Sequence, residues 1–273
     1  MKLKYYGTGS CEGVPALFCK CANCMRIRKV GGKSIRTRNQ ACVDDKILLD
    51  FPADTLMHTF NGLPLYDIKT LLLTHSHEDH LYIEDIFMRD GQEKCIPDRS
   101  VLTVYSSAKT GKKIKAGVKI VGKSKLIDFK ALKPYVTYEI EGYEITPIKA
   151  QHDYTCDSYN YIISDGKATL LYLHDSGYPL DETWQYLENC GKKFDIVSLD
   201  SAFLTAPAAC MHMVIKENVE VKDRLIKNGN ADENTKFVMN HMSHFHEFTH
   251  EELCEYVKPM GLIVSYDGME IEV

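Results

Sequence analysis

The strand-like run Thr70 to Thr74 leads straight into His75-Ser76-His77-Glu78-Asp79-His80. Four metal-binding side chains within six residues constrain this chain more than any other feature. A chance match to His-x-His-x-Asp-His is expected on the order of once per thousand chains. The irregular backbone at a strand end can turn several side chains toward one point, and imidazole and carboxylate together suit zinc, manganese or iron. The same device recurs downstream. His152 follows the strand-like stretch from Tyr143 to Ile148, Asp175 follows the apolar run Ala168 to Leu173, and His241 follows Phe237 to Met239. A lone histidine after a strand is more often structural than a ligand, but three such strand ends beside the motif reverse that expectation.

The surrounding pattern predicts an α/β fold. Short apolar runs dominate: Leu3 to Tyr6, Ala41 to Leu49, Thr70 to Thr74, Leu102 to Tyr105, Val136 to Glu141, Tyr143 to Ile148, Asn160 to Ser164, Ala168 to Leu173, Ile196 to Leu199, Phe237 to Met239 and Leu262 to Ser265. Several are continuous β-branched or leucine runs, as in sheets covered on both faces. Helical patterns cover Asp181 to Asn189, His212 to Asn228, and Thr249 to Val257, the last opening on a capping-box sequence. Strands outnumbering helices suits two packed sheets with helices outside, an αββα sandwich. No linker-like or low-complexity stretch divides residues 1–273, so one domain is expected.

Charge and apolar content narrow the class. A net charge of −5 gives no global basic field to hold a long nucleic acid. No apolar run approaches the length of a membrane span, and the N-terminus lacks the pattern of a signal peptide. The expectation is a cytoplasmic protein, with a homodimer allowed. Between Lys109 and Lys125 lie seven lysines and no acid. This stretch reads as a solvated loop, the alternative being an arm that attracts an anionic substrate.

Three of the ten cysteines are bunched at Cys19, Cys21 and Cys24. Without a secretory signal such spacing points to metal rather than disulfides. Three thiolates and one imidazole make a tetrahedral zinc site; by spacing, His244, His246 and His250 all qualify as the fourth ligand. The other cysteines (Cys11, Cys42, Cys95, Cys156, Cys190, Cys210, Cys254) are expected mostly in the core. Asp50, closing Ile47-Leu48-Leu49, is placed to orient a ligand histidine. His174, on the opposite side of its strand from Asp175, reads as structural or supporting. Arg36 and Arg38 read as solvated.

These residues resemble the metallo-β-lactamase superfamily. The opening Gly7-Thr8-Gly9-Ser10 with Gly13-Val14-Pro15, the Cys19-Lys20-Cys21-Ala22-Asn23-Cys24 cluster and the closing Tyr266-Asp267-Gly268-Met269 are similar to its PhnP-type cyclic phosphodiesterases. The likeness runs over nearly the whole chain, although Leu81-Tyr82-Ile83-Glu84 replaces a small glycine-containing turn, and the lysine-rich stretch is outside it.

The resemblance implies one metal on His75, His77 and His152 and a second on Asp79, His80 and His241, with Asp175 bridging; Asp79 counts as catalytic as well as ligand. It implies a structural zinc on Cys19, Cys21, Cys24 and His244 in a loop at about 17–30, and His212 as the acid that protonates the leaving oxygen. The active-site ions would be manganese or zinc, with iron a further candidate. The implied reaction is hydrolysis of a small anionic cyclic phosphodiester, of the phosphoribosyl 1,2-cyclic phosphate kind, through a hydroxide shared by two metals. The competing readings are a tRNA-processing type of nuclease, which the acidic charge disfavours, and a non-catalytic protein like the relative in pyrroloquinoline quinone biosynthesis.

Overall fold

The computed structural model describes residues 1–91, 95–96, 98–121, 125–153, 155, 157–205, 207 and 211–273, with the backbone alone for 118–121. Strands buried at nearly every position build two sheets, packed back to back. The first has the order β14-β1-β2-β3-β4-β5-β6, with β1 Lys2–Gly7, β2 Gln40–Val43, β3 Ile47–Leu49, β4 Thr70–Leu72, β5 Leu102–Ser106, β6 Ile127–Ala131 and β14 Glu270–Glu272. The second has the order β13-β12-β11-β10-β9-β8-β7, with β7 Tyr138–Ile140, β8 Tyr143–Lys149, β9 Tyr159–Ser164, β10 Thr169–Leu173, β11 Ile196–Asp200, β12 Lys236–Asn240 and β13 Ile263–Val264.

Alternate residues of each strand face opposite layers. In β10, Leu170 and Tyr172 join Leu3, Tyr5, Leu49 and Leu72 of the other sheet in the central core. Leu171 and Leu173 face outward with Trp184, Val221 and Leu253, carried by α5 Asp181–Asn189, α6 Ile215–Lys227 and α7 His250–Val257. The outer face of the first sheet carries a third cluster, including Leu71, Leu73, Ile86, Phe87 and Ile114, under α3 Ile83–Gly91 and α4 Ala108–Val121. The result is the expected four-layer αββα sandwich. Among the described residues no helix is long and apolar enough to cross a membrane.

Several local expectations are corrected. The run Ala41 to Leu49 is two strands, broken where Asp44 and Asp45 adopt left-handed backbone. The lysine stretch is not a loop: α4 runs through it, its Gly111 and Gly117 so close to the rings of Phe129 and Phe87 that a Cβ would lie 2.1 and 2.4 Å away. Residues 122–124, Lys123 among them, lie outside the described residues. The cysteine segment carries a helix, α1 Ala22–Val30, capped by the Cys21 sulfur, which accepts from the Cys24 N–H. Helix α6 begins only at Ile215, so His212 precedes it in extended backbone. Helices α2 Thr55–Phe60 and α3, and strands β6 and β14, were not anticipated. Of the scattered cysteines, Cys42 is buried, whereas Cys11 and Cys95 are exposed and Cys190 and Cys254 half-buried. Cys156 and Cys210 lie outside the described residues.

The glycine-rich opening acts through backbone proximity. A Cβ on Gly7 would sit 1.9 Å from the Arg38 carbonyl oxygen. The Thr8 carbonyl accepts from Met242 N–H and Ser10 N–H donates to the Met242 carbonyl, both at 3.0 Å, so this turn buttresses the residue after His241. Arg36 is buried rather than solvated. Its guanidinium donates to Thr8 Oγ1 at 2.9 Å and to the Ser265 carbonyl at 2.7 Å. Asp267, in the closing segment, accepts from the Thr8 and Thr37 hydroxyls, each at 2.6 Å.

Candidate metal centre

Strand ends from both sheets converge on one polar knot. Asp50, Asp175 and His241 all carry positive φ, at 64°, 50° and 59°. Left-handed backbone is unfavourable for such residues and persists where the surroundings over-determine it. Here it turns each side chain out of the strand direction and into the site.

Asp175 is the hub. Its Oδ2 lies 3.3 Å from His75 Nε2, 2.9 Å from His80 Nε2 and 3.4 Å from His152 Nε2. Its Oδ1 lies 3.0 Å from His212 Nδ1 and 3.7 Å from His241 Nδ1. Two donor sets share it. In the first, His75, His77, His152 and Asp175 bring donor atoms within 4.8 Å of one another. In the second, Asp79, His80, Asp175 and His241 do the same. All seven residues that the sequence singled out are therefore brought together.

Most of the histidines are aimed by their outer nitrogen. Thr74 Oγ1 lies 3.0 Å from His75 Nδ1, Asp153 Oδ2 is 3.0 Å from His77 Nε2, and His152 Nδ1 donates to the Met211 carbonyl at 3.2 Å. Asp50 does most for His80. Fully buried, it accepts from the Thr74 N–H and hydroxyl and sits 2.7 Å from His80 Nδ1, leaving Nε2 for the site. Such outer partners fix tautomer and ring orientation. Asp50→Asn is accordingly expected to weaken metal affinity of the Asp79–His80 set by about 10–100-fold, read by titration against a competing chelator. Unchanged affinity would mean that packing alone holds His80.

The electrostatics suit cations. Burial pushes Asp79 and Asp175 upward, but His80 and His241 around Asp79, and His241, His152 and His80 around Asp175, outweigh it and hold both well below the usual carboxylate range. Burial pushes His75 down to about 4, keeping it a neutral donor. Burial also opposes charge on His241, yet Asp175, Asp200 and Asp79 raise it to about 9. Buried polar atoms are nearly always paired. Among the described residues, His75 Nε2, His80 Nε2, Asp175 Oδ1 and both ring nitrogens of His241 have close polar neighbours but no well-aligned hydrogen-bond partner. All belong to the two donor sets, so the residues fit a pair of divalent ions.

Asp200 was missed, although it ends an apolar strand just as the other site residues do. Its Oδ2 lies 3.2 Å from His212 Nδ1 and 3.1 Å from His241 Nδ1. Its Oδ1 accepts from the Ala202 and Met213 N–H groups, both at 3.1 Å. Asp175, Asp200, His212 and His241 thus form a further convergence of donors. His174 lies apart from the donor sets, stacked on Tyr172 with centroids 3.8 Å apart and its Nε2 2.6 Å from Ser198 Oγ.

The cysteine cluster is separate. Cys24, Cys19 and Cys21 sulfurs lie 3.5, 3.6 and 3.8 Å from His244 Nδ1. Zn–S and Zn–N bonds of ordinary length at the tetrahedral angle give S···N edges of ~3.5 Å. The four residues therefore fit a zinc ion. His246 and His250 are elsewhere: His246 Nδ1 accepts from Phe248 N–H, and His250 packs beside Arg36 and Cys254.

A family model described as a beta-lactamase superfamily domain matches residues 47–260. No curated protein sequence matches the chain. Among solved structures, a diphosphatase of the PhnP family aligns over 100% of this chain and 97% of its own, with TM-score 0.76 and 22% identity. Zn2+-bound PqqB from Methylobacterium extorquens aligns over 100% of both chains, with TM-score 0.71 and 16% identity. The short form of human tRNase Z aligns over 100% of this chain and 99% of its own, with TM-score 0.66 and 14% identity.

Proposed function

Because the chain belongs to the metallo-β-lactamase superfamily, we propose that it is a two-metal hydrolase of phosphodiester bonds acting on a small cyclic phosphodiester, of the phosphoribosyl 1,2-cyclic phosphate kind. The observation that carries this reading is the shared Asp175, whose Oδ2 lies within 3.4 Å of His75 and His152 of one donor set and 2.9 Å from His80 of the other. His75, His77, His152 and Asp175 would hold one ion, and Asp79, His80, Asp175 and His241 the other. When bound, such a pair lowers the pKa of a water and neutralises charge developing on a phosphoryl group.

The protein's own residues supply the rest. Asp50, Thr74 and Asp153 orient ligand histidines. His212 donates a proton to the departing alkoxide: its Nδ1 is held by Asp175 and Asp200, while among the described residues its Nε2 makes no hydrogen bond. The cavity beside His77 and Asp79 has a volume of about 610 Å³, the size of a small-molecule pocket. That size and the acidic net charge favour a small ester over a structured RNA. Cys19, Cys21, Cys24 and His244 hold a zinc that supports the fold.

The test is metal counting joined to turnover. With Cys19→Ser used to subtract the structural zinc, about two ions per chain should remain at saturation. Bis-p-nitrophenyl phosphate and a panel of cyclic phosphates should be hydrolysed in proportion to loading. A protein that never exceeds one ion sinks the two-metal reading. Metal without turnover would point to a binding role, and cleavage confined to structured RNA to a nuclease.

A further inference from the structure

Asp175 and His241 both stand in left-handed backbone just past the ends of strands. Each is preceded by a fully buried polar residue, His174 before Asp175 and Asn240 before His241. Neither belongs to the donor sets. The two meet across β11, which lies between their strands. The Asn240 amide nitrogen can only donate, and it lies 3.3 Å from His174 Nδ1. Nδ1 is therefore the acceptor, and Nε2 carries the hydrogen that goes to Ser198 Oγ at 2.6 Å.

The pair is anchored on several sides. Asn240 Nδ2 also donates to Asn39 Oδ1 at 2.7 Å, and its Oδ1 accepts from the Ser265 hydroxyl at 2.8 Å. Asn39 Nδ2 donates in turn to Tyr172 OH at 2.9 Å, and the His174 ring stacks on Tyr172. Ser198 Oγ lies 2.6 Å from Tyr5 OH. Asn160 Nδ2 donates at 2.9 Å to the His174 carbonyl, in the peptide bond that leads into Asp175. Each of these residues is at most 1% exposed. They come from β1, β9, β10, β11 and β12, with Asn39 just before β2 and Ser265 just after β13, so the network joins both sheets. A buried polar pair adds little stability over an apolar pair of the same shape. Packing alone therefore gives no reason for polar residues here, whereas a fully satisfied network specifies one arrangement.

We propose that His174 and Asn240 are positioning residues for the metal centre. Their bond, anchored by Ser198, Asn39 and Asn160, ties the ends of β10 and β12 together and holds Asp175 and His241 in left-handed backbone with their side chains in the site. This rests on the two-metal reading and deepens it. The set of Asp79, His80, Asp175 and His241 depends on both strand ends; the set of His75, His77, His152 and Asp175 depends on one.

The test is stepwise metal titration against a competing chelator on the wild type, His174→Phe and His174→Gln, with His241→Ala to identify the ion held by the Asp79–His80 set. Phenylalanine keeps a ring to stack on Tyr172 and removes both nitrogens; glutamine keeps an amide that can donate and accept. His174→Phe should weaken that ion by about tenfold, the lower end of the range for outer partners of metal ligands, and the other ion by less. His174→Gln should recover most of the loss. In the cobalt(II)-loaded protein the visible bands of the same site should shift in His174→Phe and return in His174→Gln. Equal weakening of both ions and the structural zinc would mark a general loss of fold and overturn the proposal, as would an unchanged affinity. If the wild type takes up no second ion, the two-metal reading fails. Crystal structures of metal-free wild type and His174→Phe then decide: release of Asp175 and His241 from left-handed backbone supports the positioning role, and an unchanged backbone overturns it.

Discussion

Cys24→Ser should cost the protein much of its stability while leaving the chemistry of whatever stays folded close to normal. Structural zinc sites bind with apparent free energies of about 10–16 kcal/mol in small peptides. Total domain stability is only about 5–15 kcal/mol, so losing even part of the zinc contribution is a large perturbation. The geometry locates it. The Cys21 sulfur caps α1, Cys24 lies on the buried face of that helix, and His244 stands three residues after His241. With no ion between them, three sulfurs and an imidazole nitrogen would crowd together. A serine in place of Cys24 should lower the melting temperature by on the order of 10 °C or more and abolish one zinc per chain. Turnover per folded molecule, measured on the remaining soluble fraction, is the second readout. A route to the active site exists through rings: Phe245 stacks on Phe203 with centroids 6.2 Å apart, and Phe203 meets the His212 ring edge-on at 5.4 Å. A several-fold loss of turnover would fit that route. Loss of all activity in a variant of unchanged stability and full active-site metal would refute the structural role.

What the sequence disclosed was what local order determines. The His75 to His80 motif is contiguous, and Asp175 and His241 each close an apolar strand, so their convergence needed only the expectation that such strand ends share one edge of the sandwich. Asp50 was legible for the same reason. Asp200 carried that signal too, after Ile196-Val197-Ser198-Leu199, and was passed over because no motif pointed to it. Other features depend on partners that sequence order hides. Helix α4 reads as a charged loop because lysines and glycines dominate it, yet the glycines are what let it lie against Phe129 and Phe87. Arg36 looks like a surface cation until the carbonyl of Ser265, 229 residues away, accepts its hydrogen bond. The choice among His244, His246 and His250 rested on resemblance alone, and only the distances to the cysteine sulfurs separate them.

His212→Ala should slow a cyclic ribose phosphate by about 10²–10⁴-fold, the usual contribution of a positioned proton donor. Burial opposes charge on this histidine, but Asp200 and Asp175 outweigh it and hold the imidazolium up to about 11. These carboxylates favour the protonated ring that a general acid needs. Its ring is fixed on several sides, with His152 at 5.2 Å, Phe203 at 5.4 Å and His241 at 5.6 Å between centroids. The leaving group decides how much the proton matters. A sugar alkoxide cannot depart without one, whereas p-nitrophenolate can. The same variant should therefore lose far less on bis-p-nitrophenyl phosphate. Metal counting separates this role from ligation, because His212 also stands within 4.8 Å of donors on Asp175, Asp200 and His241. An acid can be removed with both ions retained; a ligand cannot. Equal losses on both esters with full metal would assign His212 to phosphate binding, and loss of an ion would assign it to the metal site. No loss on either ester would leave it without a catalytic part, and the proton for the leaving oxygen would have to come from solvent.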